Sequence, residues 1–366
     1  MSARRLDRAP LVQAALLLAA ILWAIMRVGI GAITGVADAA SNAFGWPSNE
    51  LSDYSAFTSS SPVGAIIFTS IGNSGERFYL LLHAVATLVS IIVILSFVWC
   101  MASGLGRTSA IRVTILSPWV ALLIIFLGSY DPFTIFGFGL LLWSLRSKSW
   151  VLSLLAGFYL GFQHFEQSVV AIVAVSLVII AVRENLPHRF ARREQLIGAL
   201  AGAISGKIIL TIILEKSSDS ETFGRSVYWT GEWFRISAIT SVNFGAVFLM
   251  SLFAGLWGLV GYVFIRSAVR ERLFLGLAFF VLLVPAILTL DHTRVFVMGS
   301  MLSLTVLTIS VYRNGSEPSG PTIKLLELLA WIIIPISVWV GMDGTPYLHP
   351  VGSLDQLIIF VRQWII

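Results

Sequence analysis

The 366-residue chain is 57% hydrophobic and 12% charged, with a mean hydropathy of +0.89, which excludes an ordinary soluble globular domain. Its net charge is +5 and its pI about 9.6, but basic residues of a membrane protein collect in cytoplasmic loops, so this excess does not indicate nucleic acid as a partner. The single cysteine, Cys100, excludes an intrachain disulfide and a thiolate metal cluster.

Long apolar runs predict an all-α protein, a polytopic bundle of transmembrane helices. A chain in hydrocarbon must satisfy its backbone hydrogen bonds internally, and these runs are too continuous for the alternating pattern of a barrel strand. About eleven spans, within a range of about 9 to 12, are expected to form one transmembrane domain over residues 1–366. The predicted spans are 11–33, 78–102, 113–128, 133–146, 150–164, 168–182, 195–214, 239–265, 273–290, 295–312 and 325–341.

The distribution of lysine and arginine predicts the orientation. A cytoplasmic N-terminus puts most basic residues, Arg112 among them, in cytoplasmic loops, whereas most acids fall on the other face. Three non-cytoplasmic segments are more than connectors. Residues 35–75 contain an apolar stretch, Val63–Ile71, that predicts a short interfacial helix, and residues 353–366 are also expected in the interface. Residues 215–235 mix aromatic side chains with both charges, including Arg225, and suit sugar or headgroup contacts.

Two aspartates near the non-cytoplasmic face are candidates for chemistry. Asp53, in the first outer loop, is suited to act as a general base toward a sugar hydroxyl if an apolar wall lies beside it; a solvated loop acid is the alternative. Asp131 lies in a tight turn between two short spans. It either caps the next helix or occupies a polar cavity below the membrane surface, where a carboxylate needs a partner or a function.

Further polar residues interrupt apolar runs. His164 and Glu166 lie between two short spans and are predicted to be ligands or proton carriers, with a wet loop as the alternative; the segment is too small for a metal site, and we predict none. Lys207 lies near the middle of its span, where an ammonium group is costly unless it functions there or snorkels to the surface.

The tenth span opens with Asp291, His292, Thr293 and Arg294. The fork of an arginine matches a phosphate, and the histidine adds a donor, so this motif predicts phosphate or pyrophosphate binding. A local ion pair between Asp291 and Arg294 is the alternative. The chain lacks a Walker loop and a G-x-G-x-x-G motif, which argues against an ATP-driven pump and a nucleotide-binding domain. Because the polar groups cluster on the face away from the cytoplasm, a lipid-linked donor fits better than a nucleotide-linked one.

This pattern resembles the GT-C class of integral-membrane glycosyltransferases, including the related polysaccharide-polymerase group. The matching residues are Asp53 and Tyr54 in the first outer loop and the stretch 76–83 that opens the second span. The resemblance covers mainly residues 11–145, with looser similarity through Asp291 and Arg294. The chain departs from it at Glu76 and Arg77, where many members carry a proline-rich segment, and shows no large C-terminal soluble domain.

The resemblance implies transfer of a sugar from a polyprenyl-phosphate donor to a glycan or lipid acceptor, on the non-cytoplasmic face of a bacterial inner membrane and without a cofactor. Whether a divalent cation is needed is left open. By this resemblance Asp53 is the general base. The expected partners are the lipid-linked donor, the acceptor and membrane lipid.

The competing hypothesis is a secondary transporter or a lipid or oligosaccharide flippase, in which Lys207, Glu166, Asp131 and Arg294 form an ion or proton route.

Overall fold

A computed structural model shows a chain that is nearly all helical. It describes residues 9–28, 32–33, 35–47, 61–72, 75–102, 106–187, 190–217, 249, 252–289, 292–313, 320–331, 338–340 and 346–348. The helices are α1 (Ala9–Val28), α2 (Val36–Phe44), α3 (Val63–Ile71), α4 (Glu76–Met101), α5 (Gly106–Ile115), α6 (Pro118–Ile125), α7 (Asp131–Ser147), α8 (Trp150–Ala181), α9 (Arg193–Ser217), α10 (Trp257–Arg266), α11 (Val269–Ile287), α12 (His292–Arg313) and α13 (Gly320–Trp331). Short 3₁₀ turns cover Arg183–Asn185 and Ala254–Leu256, and two strands, β1 (Val338–Val340) and β2 (Pro346–Leu348), pair antiparallel.

Several helices are suited to a membrane. By length and composition alone, α4, α8, α9 and α12 could cross one, α8 only when its two arms are taken together, and the pair α5 and α6, bent by 40°, is a fifth if it is counted as one span. The exposed face of α4 is apolar, since Leu81, Val85, Leu88 and Ile92 recur at helical spacing and are each more than half exposed. Soluble proteins rarely expose such a continuous apolar stripe. The number of spans expected from the sequence, about eleven, stays a prediction.

The chain reverses inside α8. His164 has φ −162° and ψ 81°, which is not helical, and the Ser168 hydroxyl donates to the Leu160 carbonyl at 3.1 Å. Residues eight apart are separated by about 12 Å along a straight helix. The bond therefore requires the two arms of α8, residues 150–163 and 165–181, to fold back on each other. The polar segment 163–167, predicted to separate two spans, coincides with this reversal.

Glycines bring α9 into direct backbone contact with the first arm of α8. A Cβ at Gly161 would overlap the Ala203 carbonyl, and one at Gly202 would overlap the Leu154 carbonyl. Because glycine has no Cβ, the two helices approach more closely than other residues permit, as in the G-x-x-x-G helix pairs of membranes. We call this contact the glycine seam; its members are Gly157, Gly161, Gly198, Gly202 and Gly206.

Helices α2 and α3 form a cap on the end of the bundle where α7 begins. The Thr69 hydroxyl of α3 donates to the Ala43 carbonyl of α2 at 2.8 Å, and Phe68 is fully buried between the cap and α4. The cap is also tied to α8, because the Val63 amide donates to the Gln163 side-chain oxygen at 2.9 Å. The short helix predicted at residues 63–71 is thus present as α3.

The other end of the bundle holds a buried ion pair. Arg112, predicted to lie in a cytoplasmic loop, is instead 4% exposed within α5. It donates to both carboxylate oxygens of Glu327 in α13 and, at 2.6 Å, to the Gln13 side chain in α1. Counting charges along the chain assigns arginines to loops. A guanidinium whose N–H donors have acceptors can nevertheless be buried within a helix bundle. We call these three residues the Arg112 cluster.

The last predicted span is shorter than expected. Residues 325–341 were predicted to form one helix, but α13 ends at Trp331 and residues 338–340 form β1. Register pairs Val338 with Leu348 and Val340 with Pro346. Valine and tryptophan favour extended backbone, but in the sequence they stand in an apolar run that also fits a helical span.

Candidate functional site

Polar side chains meet where α7 begins, α8 reverses and α12 begins. Each element brings them there for a local reason: a proline at its second residue starts α7, and the loss of helical geometry at His164 leaves polar groups at the turn of α8. We call the group the polar cluster; its members are Tyr130, Asp131, His164, Glu166, Lys207 and Arg294.

The deepest part of the polar cluster is an ion pair between Asp131 and Arg294. The Arg294 Nε donates to Asp131 Oδ2 at 2.7 Å, and the Ser129 hydroxyl donates to the same oxygen at 3.0 Å. The Asp131 side chain is 3% exposed and that of Arg294 16%. Asp131 lies in the first turn of α7, where a carboxylate is favourable, and its amide donates to the Ser129 hydroxyl at 3.4 Å. Because its carboxylate accepts from Arg294, it is placed to orient that guanidinium.

Arg294 lies between two aromatic rings. Its Cζ is 5.1 Å from the ring centroid of Phe126 and 5.1 Å from that of Tyr130. A planar guanidinium stacks well on aromatic faces, and a low-polarity wall strengthens its attraction for an anion. The site thus holds a positive charge in a fixed orientation beside apolar surface, which suits a phosphate group attached to a lipid.

His164 also packs against Tyr130. The two ring centroids are 5.2 Å apart, and His164 is 6% exposed. The neighbouring Gln163 fixes the turn, since its side-chain nitrogen donates to the Tyr130 carbonyl at 3.3 Å while its oxygen accepts from Val63. The cap, the start of α7 and the reversal of α8 are therefore held together by one amide side chain.

Glu166 and Lys207 form a second, more accessible ion pair. Lys207 Nζ is 3.2 Å from Glu166 Oε1, and Glu166 Oε2 is 3.8 Å from His164 Nδ1. The side chains of Lys207 and Glu166 are 35% and 36% exposed. Helix α9 continues from Lys207 to Ser217, about 15 Å further, so the pair is recessed below the end of that helix.

The predicted site residues divide into two groups. Asp131, His164, Glu166, Lys207 and Arg294, which are far apart in sequence, converge in the polar cluster. The remaining predicted residues fall outside the described side chains, although His292 begins α12. They are Asp53, Arg225, Asp291 and His292. Within the described ranges, no group of three or more histidine, cysteine, aspartate or glutamate side chains is arranged to hold a metal.

Some contributors were not foreseen from the sequence. Phe126 and Ser129 contact the ion pair, but an isolated phenylalanine or serine near a turn carries no signal for such a role. The glycine seam did have a signal. Glycines recur every four residues in the predicted spans 150–164 and 195–214, which is the pattern of close-packed membrane helices.

No family model, no curated protein and no solved structure matches this chain.

Proposed function

We propose that the protein is a membrane glycosyltransferase of GT-C type, which moves a hexosyl or pentosyl group from a polyprenyl-phosphate donor to a glycan or lipid acceptor. The observation that carries this proposal is the polar cluster itself: an arginine held between aromatic rings, with groups able to accept a proton beside it, at one end of an apolar bundle. A displacement at a sugar carbon needs those two components, a stabilised leaving phosphate and a positioned base.

Arg294 is assigned to the leaving group. As the bond between the sugar carbon and the phosphate oxygen breaks, negative charge grows on the phosphate, and a guanidinium already oriented by Asp131 stabilises it without reorganisation. The rings of Phe126 and Tyr130 pack against the guanidinium and leave its side chain only 16% exposed. By the family resemblance Asp53 is the general base, and Asp53 lies ten residues before Val63, whose amide contacts Gln163 of the site.

The proposed setting is the non-cytoplasmic face of a bacterial inner membrane. Asp131 and Arg294 adjoin the predicted outer ends of their spans, while Arg146 and Arg313 end α7 and α12 at the predicted cytoplasmic side. A polyprenyl chain would lie along apolar helix faces such as that of α4, with its phosphate reaching the polar cluster. The donor then carries its own leaving group, so no nucleotide is needed.

A transporter or flippase is the second candidate, because one observation favours it. The backbone break at His164 places Glu166 of α8 beside Lys207, which lies part-way along α9. Interrupted helices with charged groups are typical of transport pathways. The sequence and the described residues show no pair of pseudo-symmetric halves to accompany the break, so we rank this function second.

The test is sugar transfer by purified protein in detergent, from radiolabelled polyprenyl-phosphate sugars to membrane lipid and glycan extracts. Arg294→Ala is expected to lower the transfer rate by about 10²- to 10³-fold, the usual cost of losing a charge-stabilising donor. Arg146→Ala is the matched control, since Arg146 is exposed at the other end of α7 and stacks on Trp143. We expect it to retain full activity.

Two results would count against the enzyme. The first is an absence of transfer with every donor, combined with lipid exchange or solute uptake by the protein in liposomes; this outcome favours the transporter. The second is equal activity of Arg294→Ala and Arg146→Ala, which would remove Arg294 from the mechanism.

A further inference from the structure

We infer that His164 accepts the proton of the incoming acceptor hydroxyl, and that Glu166 and Lys207 are positioning residues that hold its ring for this step. The inference rests on the proposed function and assigns the base to the polar cluster, where the family resemblance assigns it to Asp53. It is carried by the placement of His164 at the reversal of α8, by the order of charges beside it and by the contact that both His164 and Arg294 make with Tyr130.

The reversal of α8 gives His164 a place that a helical residue would not have. Its backbone is extended, and the Ser168 hydroxyl donates to the Leu160 carbonyl of the interrupted helix. The imidazole packs on the Tyr130 ring and is nearly buried. A histidine at the point where two antiparallel arms meet is held on both sides, which fixes a reacting group better than a free loop does.

Glu166 connects His164 with Lys207. One carboxylate oxygen faces His164 Nδ1 at 3.8 Å and the other faces Lys207 Nζ at 3.2 Å. A carboxylate next to Nδ1 favours the tautomer with its proton on that nitrogen, which leaves the lone pair on Nε2 as the acceptor. The spacing is longer than a hydrogen bond, and such catalytic contacts often tighten when substrate is bound.

His164 and Arg294 share one aromatic surface. The Arg294 Cζ lies 5.1 Å and the His164 ring 5.2 Å from the centroid of Tyr130. A sugar bound across Tyr130 would therefore have its phosphate near Arg294 and its attacked face near His164. The titratable and charged groups of the polar cluster near His164 are Tyr130, just before α7, Asp131 of α7, Glu166 of α8, Lys207 of α9 and Arg294 of α12.

The transfer step balances with these groups. The acceptor oxygen forms a bond to the anomeric carbon of the sugar while its proton moves to His164 Nε2. The bond between that carbon and the phosphate oxygen breaks, and its electron pair leaves with the polyprenyl phosphate, which Arg294 stabilises. The imidazolium, held by Glu166, then returns its proton to water, so no oxidant, reductant or further reactant is consumed.

The experiment compares variants in the same transfer assay, with folding checked by size-exclusion chromatography in detergent. We expect His164→Gln to lower kcat by about 10²- to 10⁴-fold with little change in KM, the range for loss of a general base. Glu166→Gln and Lys207→Met should lower kcat by about 10-fold, as expected when groups that only orient the ring are lost. Arg146→Ala is again the control, since Arg146 is exposed at the other end of α7, and it should keep full activity.

Sodium azide provides the decisive readout, because the azide anion attacks the sugar without losing a proton. His164→Ala with azide should release polyprenyl phosphate and form the glycosyl azide at a rate well above its rate with the natural acceptor. Arg294→Ala should not be rescued.

The inference is overturned if His164→Ala transfers sugar normally, or if azide rescues Asp53→Ala and not His164→Ala. In both cases the wild-type protein is active, so the proposed function survives. If the wild-type protein cleaves no donor with any acceptor, azide included, the proposed function falls and this inference with it.

Discussion

Replacing Gly202 with leucine is expected to leave no folded protein. The Cβ alone would overlap the Leu154 carbonyl, which belongs to the backbone of α8 and has no rotamer to move. Relief requires α8 and α9 to separate along the whole glycine seam, which removes close packing in the place where membrane helices depend on it most. Because the same arm of α8 carries Gln163 and leads to His164, the site would be lost with the seam. The measurement is the yield of monodisperse protein after detergent extraction.

Gly276→Leu is the control for this prediction. Gly276 lies in α11, a helix of similar character, and within the described part of the chain no atom comes within 4 Å of a Cβ placed there. The same substitution is therefore expected to be tolerated, with a gain in helix propensity of up to about 1 kcal/mol. A normal yield of Gly202→Leu would show that α8 and α9 are not packed as closely as the seam requires.

Arg112→Met is expected to lower the free energy of unfolding by about 3–5 kcal/mol, the usual cost of leaving one partner of a buried ion pair unpaired. Glu327 would keep its charge in a largely apolar surrounding, and Gln13 would lose the donor that ties α1 to α5. The change at Arg112 should therefore loosen α1 and α13 together, since this one side chain forms hydrogen bonds with both of them.

Denaturant titration of the purified protein in mixed micelles measures this effect. The double variant Arg112→Leu with Glu327→Leu should recover most of the lost stability, because removing both members of the ion pair leaves no charge unpaired. Arg146→Met, at an exposed arginine, is the control and should change stability by less than about 0.5 kcal/mol. A double variant as unstable as Arg112→Met would mean that packing, and not charge pairing, makes Arg112 important.

The class of the protein and several local features follow from the sequence. Helices are the expected way to satisfy backbone hydrogen bonds in so apolar a chain, and polar residues in short runs locate turns such as that at residues 163–167. The short helix at 63–71 follows from its apolar pattern in the same way. These properties depend on each residue's own free energy of transfer and on neighbours within a few positions, and the sequence displays both directly.

The partners within the polar cluster were decided by tertiary structure. The sequence suggested only Asp291 as a local partner for Arg294, as the alternative to phosphate binding; the Nε of Arg294 contacts Asp131, 163 residues away. Lys207 contacts Glu166 across 41 residues, which turns an isolated costly charge into half of an ion pair. A helix pattern shows which residues share a face but not which other helix that face meets, because crossing position and depth depend on the packing of the whole bundle.

The burial of Arg112 and its ion-pair partner were also decided by tertiary structure. Its charge and position next to an apolar run indicate a loop under the rule for basic residues, and the structure buries it against Glu327, 215 residues away. By itself, the sequence of this protein determined an apolar helical chain with polar turns of known position. Which turns meet, and so which charges are paired, was decided only when close helix contacts such as the glycine seam set the distances between helices.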